Sequence, residues 1–132
     1  MHLEDWINAA ASYAAVLTVY PDDKKAHGTA SYLYHERLFA FPRAFVLNQQ
    51  WLERNPADVV VQSDFAEKHF TTGRFSECEQ RIALLLANPA VGQSIQVALQ
   101  AIRIANSLAL GKTDLVQGRI ETMVEGITSQ SE

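Results

Sequence analysis

The chain has 132 residues, of which 48% are hydrophobic and 20% are charged, and this composition excludes disorder over most of its length. Eleven Lys and Arg residues against fifteen Asp and Glu residues give a formal net charge of −4, which disfavours nucleic acid and anionic membranes as partners. The single cysteine excludes an internal disulfide and a thiolate zinc site, and we expect a cytoplasmic protein.

The first predicted element is an apolar helix over residues 3–20. Acidic residues, Glu4 and Asp5, stand where a signal peptide would be basic, and the segment is shorter than the roughly 20 residues that cross a membrane. Because this helix is apolar nearly all round, it needs cover on two sides. We expect it either to occupy a groove of its own fold or to form a homodimer with a second copy.

Six more helices are predicted after it, over residues 25–39, 42–54, 56–72, 76–87, 90–110 and 113–128. Gly73 and Gly111 each follow a helix, where glycine closes the C-terminus in the left-handed conformation. Ser76 and Glu79 have the spacing of a capping box. No hairpin turn of the Asn-Gly or Asp-Gly kind occurs, so the sequence predicts an all-α fold of antiparallel neighbours.

A repeat of about 34 residues runs through these helices. Similar residues stand 34 positions apart, among them Phe41 and Phe75, Ala44 and Cys78, and His35 and His69. Each period holds two helices and a tight turn, which is typical of a solenoid of helical hairpins. The sequence therefore predicts an α-α superhelix.

The segment over residues 64–78 resembles a tetratricopeptide repeat: Phe65 and Ala66 match the large and small pair of the first helix, Gly73 the turn glycine and Cys78 the small crossing residue. The resemblance covers about residues 25–128 and implies one domain, with hairpins at about 25–55, 56–88 and 89–128 after the helix 3–20. The first hairpin lacks a clear large and small pair and a turn glycine. In the third the interval stretches, since Gly118 lies farther beyond Cys78 than one repeat period.

The family resemblance implies a non-catalytic scaffold that binds a peptide or a partner's helix in a concave groove lined by the first helices. The implied partner-binding residues are Tyr32, His35, Val60, Ser63, Glu67, Phe70, Thr71, Arg103 and Asn106. Ser63, Asp64 and Glu67 stand where a carboxylate clamp would need cations and amides, so we expect a partner with apolar anchors and basic residues. The alternative for Tyr32 and Phe70 is ordinary core packing.

No pattern in the chain predicts catalysis, a metal or a cofactor. The four histidines are scattered without a His-Glu-x-x-His spacing, and Cys78 occupies a small packing position where a buried thiol is inert. Lys68 and Arg74 are expected on solvated helix faces. The last helix carries one apolar stripe that could make it a terminal cap, through Val116, Ile120, Met123, Val124 and Ile127.

Two other functions stay open at this point. The repeats could belong to a larger multidomain protein in which they position a catalytic or sensor domain. A helical domain could instead bind a small molecule in a pocket lined by Trp6, Tyr13, Tyr32, Tyr34 and His35. Convergence of these aromatic residues on a closed cavity would favour the pocket, and their spread along an open groove would favour the scaffold.

Overall fold

A computed structural model describes residues 2–131, with side chains described up to residue 129. Within this range the chain forms seven α-helices and no strand, which confirms the all-α prediction. The helices are α1 (Leu3–Val19), α2 (Lys24–Tyr32), α3 (Phe41–Arg54), α4 (Val59–Thr71), α5 (Phe75–Leu86), α6 (Gln93–Ala109) and α7 (Val116–Ser131). A π-helical segment (Leu33–Arg37) continues α2, and a 3₁₀ turn (Thr113–Leu115) leads into α7. Among the described helices, none combines the length and the apolar character needed to cross a membrane.

The starts of α4 and α6 were predicted three residues too early. Each Asn-Pro pair forms a turn instead of a first helical turn, with the N–H of Asp58 bonded to the carbonyl of Asn55 and that of Val91 to the carbonyl of Asn88. Asp58 then caps α4, since its Oδ1 accepts the Val61 N–H at 3.1 Å. Proline ends the preceding helix at both places, but it does not begin the next one.

The capping box predicted at Ser76 and Glu79 is wrong. Helix α5 begins at Phe75 and its N-cap is Arg74, which makes no side-chain cap. The carboxylate of Glu79 accepts instead from Arg103 and Arg119. The spacing suggested a hydrogen bond within the first turn of the helix. The carboxylate instead accepts hydrogen bonds from the two arginines, which are charge-assisted and therefore stronger.

The chain turns in the same way between the two helices of three successive hairpins. We call α2 with the π segment and α3 hairpin 1, α4 and α5 hairpin 2, and α6 and α7 hairpin 3. One residue of each turn has positive φ: Phe39 (50°), Gly73 (77°) and Gly111 (75°). The next residue, Ala40, Arg74 or Lys112, has φ between −92° and −86° and ψ between 54° and 62°. The left-handed glycines are therefore confirmed, and Phe39 fills the same place in hairpin 1.

The backbone hydrogen bond that closes the turn spans one residue more in hairpin 1 than in hairpins 2 and 3. The N–H groups of Arg74 and Lys112 each donate five residues back, to His69 and Ser107, as in a Schellman motif. The N–H of Ala40 donates six residues back, to Tyr34. The π segment thus holds one additional residue between the cap of the first helix and the turn.

The number of residues between the N-cap of the first helix and the turn is also larger by one in hairpin 1 than in hairpin 2. Asp23 caps α2 as Asp58 caps α4. Phe39 lies one position farther from Asp23 than Gly73 lies from Asp58. The additional residue therefore belongs to the first helix of hairpin 1 and not to its turn.

This additional residue explains why the first hairpin matches the repeat so poorly in sequence. Before the π segment, positions in the two hairpins correspond at an interval of 35, so that Ser31 rather than Tyr32 takes the place of Ala66. Ser31 and Ala66 are both buried, whereas Tyr32 is 48% exposed. Hairpin 1 therefore has a small residue at this position after all.

The second helices of hairpins 1 and 2 bury corresponding positions, one repeat period apart. The buried residues of α5 are Cys78, Ile82 and Leu85, and their counterparts in α3 are Ala44, Asn48 and Trp51. In hairpin 3 the first helix is longer by about one turn, because Gly111 lies four positions farther from the N-cap Gly92 than Gly73 lies from Asp58. The stretched interval thus reflects an enlarged α6.

The Cα positions divide into two compact units, Met1–Val61 and Gln62–Glu132, and each is described by itself. In the first unit α1 packs against α2 and the π segment, over a core of Ala10, Ala30, Leu33, Tyr34 and Ala44. In the second unit α6 packs against both α5 and α7. The single domain expected over 1–132 stays a prediction.

Part of the apolar surface of α1 and of α7 stays exposed. On α1, Trp6 and Tyr13 pack against the core while Leu3, Ile7 and Val19 stay exposed. On α7, Ile120, Val124 and Ile127 are exposed and only Val116 and Met123 of the predicted stripe are half-buried. The cap function expected of the last helix is therefore not supported by its burial.

Candidate interaction surface

One face of α4 carries five of the residues predicted to bind a partner. Val60 is exposed, and Ser63, Glu67, Phe70 and Thr71 are half-buried. Their spacing places them along one side of the helix. The ring of Phe70 lies 5.8 Å from that of Phe75, centroid to centroid, so part of its surface is used in packing within hairpin 2. Helix α4 thus brings these five side chains together.

Lys68 lies beside this face and is buried, although a solvated position was expected. Its Nζ is 2.9 Å from Oδ1 of Asp64 and 3.8 Å from Oε1 of Glu67, and both carboxylates remain partly exposed. A buried ammonium group needs such partners, since an unpaired one costs several kcal/mol. The four-residue spacing of Asp64 and Lys68 was the sequence signal for this pair. Because two partly exposed carboxylates surround one buried ammonium group, this part of α4 presents a net negative charge to solvent.

Arg103 belongs to a charge network that joins the last three helices. Its Nε donates to Oε1 of Glu79 at 3.2 Å, and Nη2 of Arg119 donates to the same oxygen at 2.8 Å. Nη1 of Arg119 also donates to the hydroxyl of Ser107. Burial of Glu79 opposes its ionisation, but hydrogen bonds from both arginines outweigh burial and lower the pKa of its carboxyl. No local spacing in the sequence points to this network.

Asn106, the other residue predicted on α6, has no exposed surface. Its Nδ2 donates to the carbonyl of Phe75 at 2.8 Å, which ties α6 to the start of α5. The residue therefore lies in the interior of unit 2, where it satisfies a backbone acceptor. Of the two residues predicted on α6, only Arg103 retains exposed surface.

Tyr32 and His35, both predicted to bind a partner, differ in exposure. Tyr32 is exposed, and the guanidinium carbon of Arg37 lies 5.7 Å from its ring centroid and 5.3 Å from that of Trp6. His35 is buried, with Nδ1 2.9 Å from Oε1 of Glu36 and its ring 5.1 Å from that of Phe41. Of these two residues, only Tyr32 presents a large part of its side chain to solvent.

The five aromatic residues considered for a closed pocket make different contacts in unit 1. Trp6 and Tyr32 enclose Arg37, His35 contacts Phe41, and Tyr13 packs on the core of unit 1. Tyr34 alone forms part of a groove of about 370 Å³, with Ala14, Pro42, Arg43, Val46 and Leu47. This spread favours open surfaces over an enclosed ligand site.

His69 is the most deeply buried titratable ring of hairpin 2, 1% exposed. Its Nδ1 lies 2.8 Å from the carbonyl of Phe65, which can only accept, so Nδ1 carries the proton. Nε2 then accepts from Nε of Arg81 at 3.2 Å, and Glu77 lies 3.4 Å away. Burial, the largest cause, lowers the pKa of His69, and the charge of Arg81 adds to this effect. The ring is a neutral link between α4 and α5.

Cys78 is fully buried in the same hairpin. Burial and the nearby charge of Glu79 raise the pKa of its thiol to about 12. A thiolate nucleophile is therefore not formed near neutral pH, in agreement with the packing position expected for this residue.

None of the family models, curated proteins or solved structures compared with the chain matches it.

Proposed function

We propose that the protein is a helical-repeat scaffold of the tetratricopeptide kind, which binds a peptide or partner helix and catalyses no reaction. The observation that carries this proposal is the recurring turn, in which a left-handed residue and an N-cap of common geometry precede the second helix of each hairpin. In solenoids built from repeated hairpins, each repeat contacts its neighbours and the first helices line an extended binding surface.

The α4 face supports a partner with apolar anchors beside basic residues. Val60 and Phe70 offer apolar contact, and the carboxylates of Asp64 and Glu67 outnumber the buried ammonium of Lys68. Complementary charge raises the association rate and orients the partner, while buried apolar anchors supply most of the affinity. We propose that the protein is cytoplasmic and that its partner is a protein or peptide, with neither nucleic acid nor membrane involved.

Selection of peptides from a random displayed library against the full chain tests the proposal. We expect enriched peptides to combine an aromatic or aliphatic residue with Lys or Arg. Val60→Ala and Phe70→Ala should each weaken a selected peptide at least about fivefold, the size of an anchor contact of about 1 kcal/mol. Glu67→Lys should weaken it further at low salt, because it reverses a charge of the surface.

Leu84→Ala is the matched control, since Leu84 is an apolar residue of α5 that is 74% exposed. This variant should leave the affinity of the selected peptides unchanged. Circular dichroism of each variant separates loss of binding from loss of fold. Failure to enrich any peptide, or enriched peptides that respond to Leu84→Ala and not to Val60→Ala, would overturn the proposal.

We also propose that α1 mediates a homodimer, because Leu3, Ile7 and Val19 remain exposed along it. Light scattering of the full chain should then give twice the monomer mass. Ile7→Glu should yield a monomer, whereas Glu53→Gln, at an exposed residue of α3, should not change the mass. A monomeric full chain at the concentrations used for binding would contradict this arrangement.

A further inference from the structure

The groove on unit 1 has the size and the lining of a small-ligand site. It opens between α1, the π segment and α3, and its volume is about 370 Å³. Ligand pockets typically range over ~300–1,000 Å³ with mainly apolar walls. The uncharged residues of its wall are Ala14, Tyr34, Pro42, Val46 and Leu47. The groove therefore suits an apolar chain.

Arg43 is the charged residue of this wall. Its guanidinium carbon lies 5.6 Å from the centroid of the Tyr34 ring, and Tyr34 is itself buried, so a fixed aromatic surface orients the guanidinium. Across residues 2–131 no carboxylate forms a salt bridge with Arg43, whereas Arg54, Arg103 and Arg119 each have one. The donors of Arg43 thus lie next to an apolar groove without an acidic partner.

We propose that this groove binds a medium-chain aliphatic carboxylate. The planar N–H edge of a guanidinium matches the two oxygens of a carboxylate, which can accept two parallel hydrogen bonds. The hydrocarbon chain, about eight to ten carbons long, lies on the apolar wall and leaves water there. This site is separate from the α4 surface of the proposed function, since it uses residues of α1, the π segment and α3.

Titration of the full chain with decanoate, decanol and octanoate tests the proposal, with calorimetry for affinity and amide chemical shifts for location. The two carboxylates are used below their critical micelle concentrations, and decanol is used below its solubility limit. Decanoate should bind about tenfold more tightly than decanol, the ratio expected for one partly exposed charge-assisted contact. Octanoate should bind about fifteenfold more weakly than decanoate, because two methylene groups are lost. Shift changes should centre on Ala14, Val46 and Leu47.

Three variants locate the two parts of the site. Arg43→Gln should weaken decanoate about tenfold and leave decanol unchanged, because only the carboxylate uses the guanidinium. Val46→Glu, at a surface position, should abolish decanoate binding while the circular dichroism spectrum stays native. Lys25→Gln removes an exposed cation from the same unit and should leave both affinities unchanged.

Equal affinity for decanol and decanoate, an unchanged decanoate affinity in Arg43→Gln, or shift changes outside the groove would each overturn the proposal. Peptide selection on the α4 surface is read independently, so either result stands without the other.

Discussion

Phe39 and Gly73 occupy the same position in two successive hairpins, one repeat period apart, and both have positive φ. Glycine adopts this conformation at no steric cost, whereas a bulky side chain does so at about 1–2 kcal/mol. The side chain of Phe39 is 70% exposed, with an edge contact to Phe41, so packing returns little of that cost. The turn of hairpin 1 is therefore strained where that of hairpin 2 is not.

Phe39→Gly should stabilise the protein by about 0.5–1 kcal/mol, since relief of the left-handed strain exceeds the added entropy of the unfolded chain. Denaturant unfolding of the purified variant measures this change. Gly73→Ala is the opposite control: nothing lies within 4 Å of an added Cβ there, so φ alone should cost about 1 kcal/mol. A destabilised Phe39→Gly would mean that the Phe39 side chain contributes packing that its exposure does not show.

Ala66→Leu should destabilise hairpin 2 by about 1–3 kcal/mol, because Ala66 has no exposed surface and a larger side chain overpacks the crossing. Ala83→Leu makes the same change at an exposed position of α5 and should alter the free energy of unfolding by less than about 0.5 kcal/mol. Equal effects of the two variants on the chemical denaturation midpoint would contradict the crossing position of Ala66.

Ser31→Leu should destabilise hairpin 1 by a similar amount, about 1–3 kcal/mol, because the π segment places Ser31 where hairpin 2 has Ala66. Tyr32→Leu should have a much smaller effect, since Tyr32 is exposed. Urea denaturation of both variants distinguishes the two possible alignments of the hairpins, in which either Ser31 or Tyr32 corresponds to Ala66. The reverse order of effects would place the additional residue of hairpin 1 outside the π segment.

Glu79→Gln should destabilise unit 2 by about 1–3 kcal/mol, because it leaves two partly buried guanidinium groups without their shared carboxylate. A lowered pKa means that the ionised Glu79 stabilises the fold above its ordinary pKa, near 4.3, and that this contribution is lost as pH falls through the folded value. The variant should therefore lose less stability than the wild type between about pH 5 and pH 3.

Glu125→Gln, at an exposed residue of α7, serves as its control and should leave the pH dependence intact. A double-mutant cycle with Arg119→Gln should show coupling between Glu79 and Arg119, the pair joined at 2.8 Å. Additive effects of the two substitutions would exclude a direct energetic contribution from this ion pair.

His69 should make hairpin 2 less stable as the solution is acidified. Its pKa is lowered in the folded chain, so the unfolded chain binds more protons below the ordinary value of about 6.5. The stabilising contribution is complete above that value and is lost as pH falls from it toward the folded pKa. His69→Gln should flatten the dependence of the unfolding free energy on pH between about 7 and 5, whatever its effect at pH 7. An unchanged slope would assign that dependence to another group.

The thiol of Cys78 should not react with a disulfide reagent in the native protein near pH 8, because burial keeps its pKa about 12. Its labelling rate should rise with denaturant in parallel with unfolding followed by circular dichroism. Fast labelling without denaturant would show that hairpin 2 opens locally far more readily than its burial indicates.

Helices were predictable because apolar spacing and the glycines are local signals, and α1, α3 and α5 were each placed within one residue of their observed bounds. The two Asn-Pro turns were predicted as helix starts, because proline in the first turn of a helix and proline in a loop turn have the same sequence signature. The π segment was not predicted. One additional residue leaves the composition and the apolar pattern of the helix unchanged, and it alters only which of its residues contact the second helix of the hairpin.

The interaction surface could be predicted from the sequence only where its residues lie on one helix. Val60, Ser63, Glu67, Phe70 and Thr71 share one helix, so spacing alone places them on one face. Asn106 and His35 are buried. The burial of Asn106 involves a contact with Phe75, 31 positions away, which spacing on its own helix does not reveal. The contact of Glu79 with Arg119 spans 40 positions and has no local signal at all.

The π segment also bears on how such hairpins can change length. Asp23 fixes where hairpin 1 starts and Phe39 where it turns, and the inserted residue is accommodated between them by a locally wider helix. Residues before the segment correspond to hairpin 2 at an interval of 35 and those after it at an interval of 34, so the change of register is confined to a short stretch of the chain. A gain or loss of one residue in a first helix is thus compatible with an unaltered turn, and the faces of the hairpin on the two sides of the segment can vary independently in sequence.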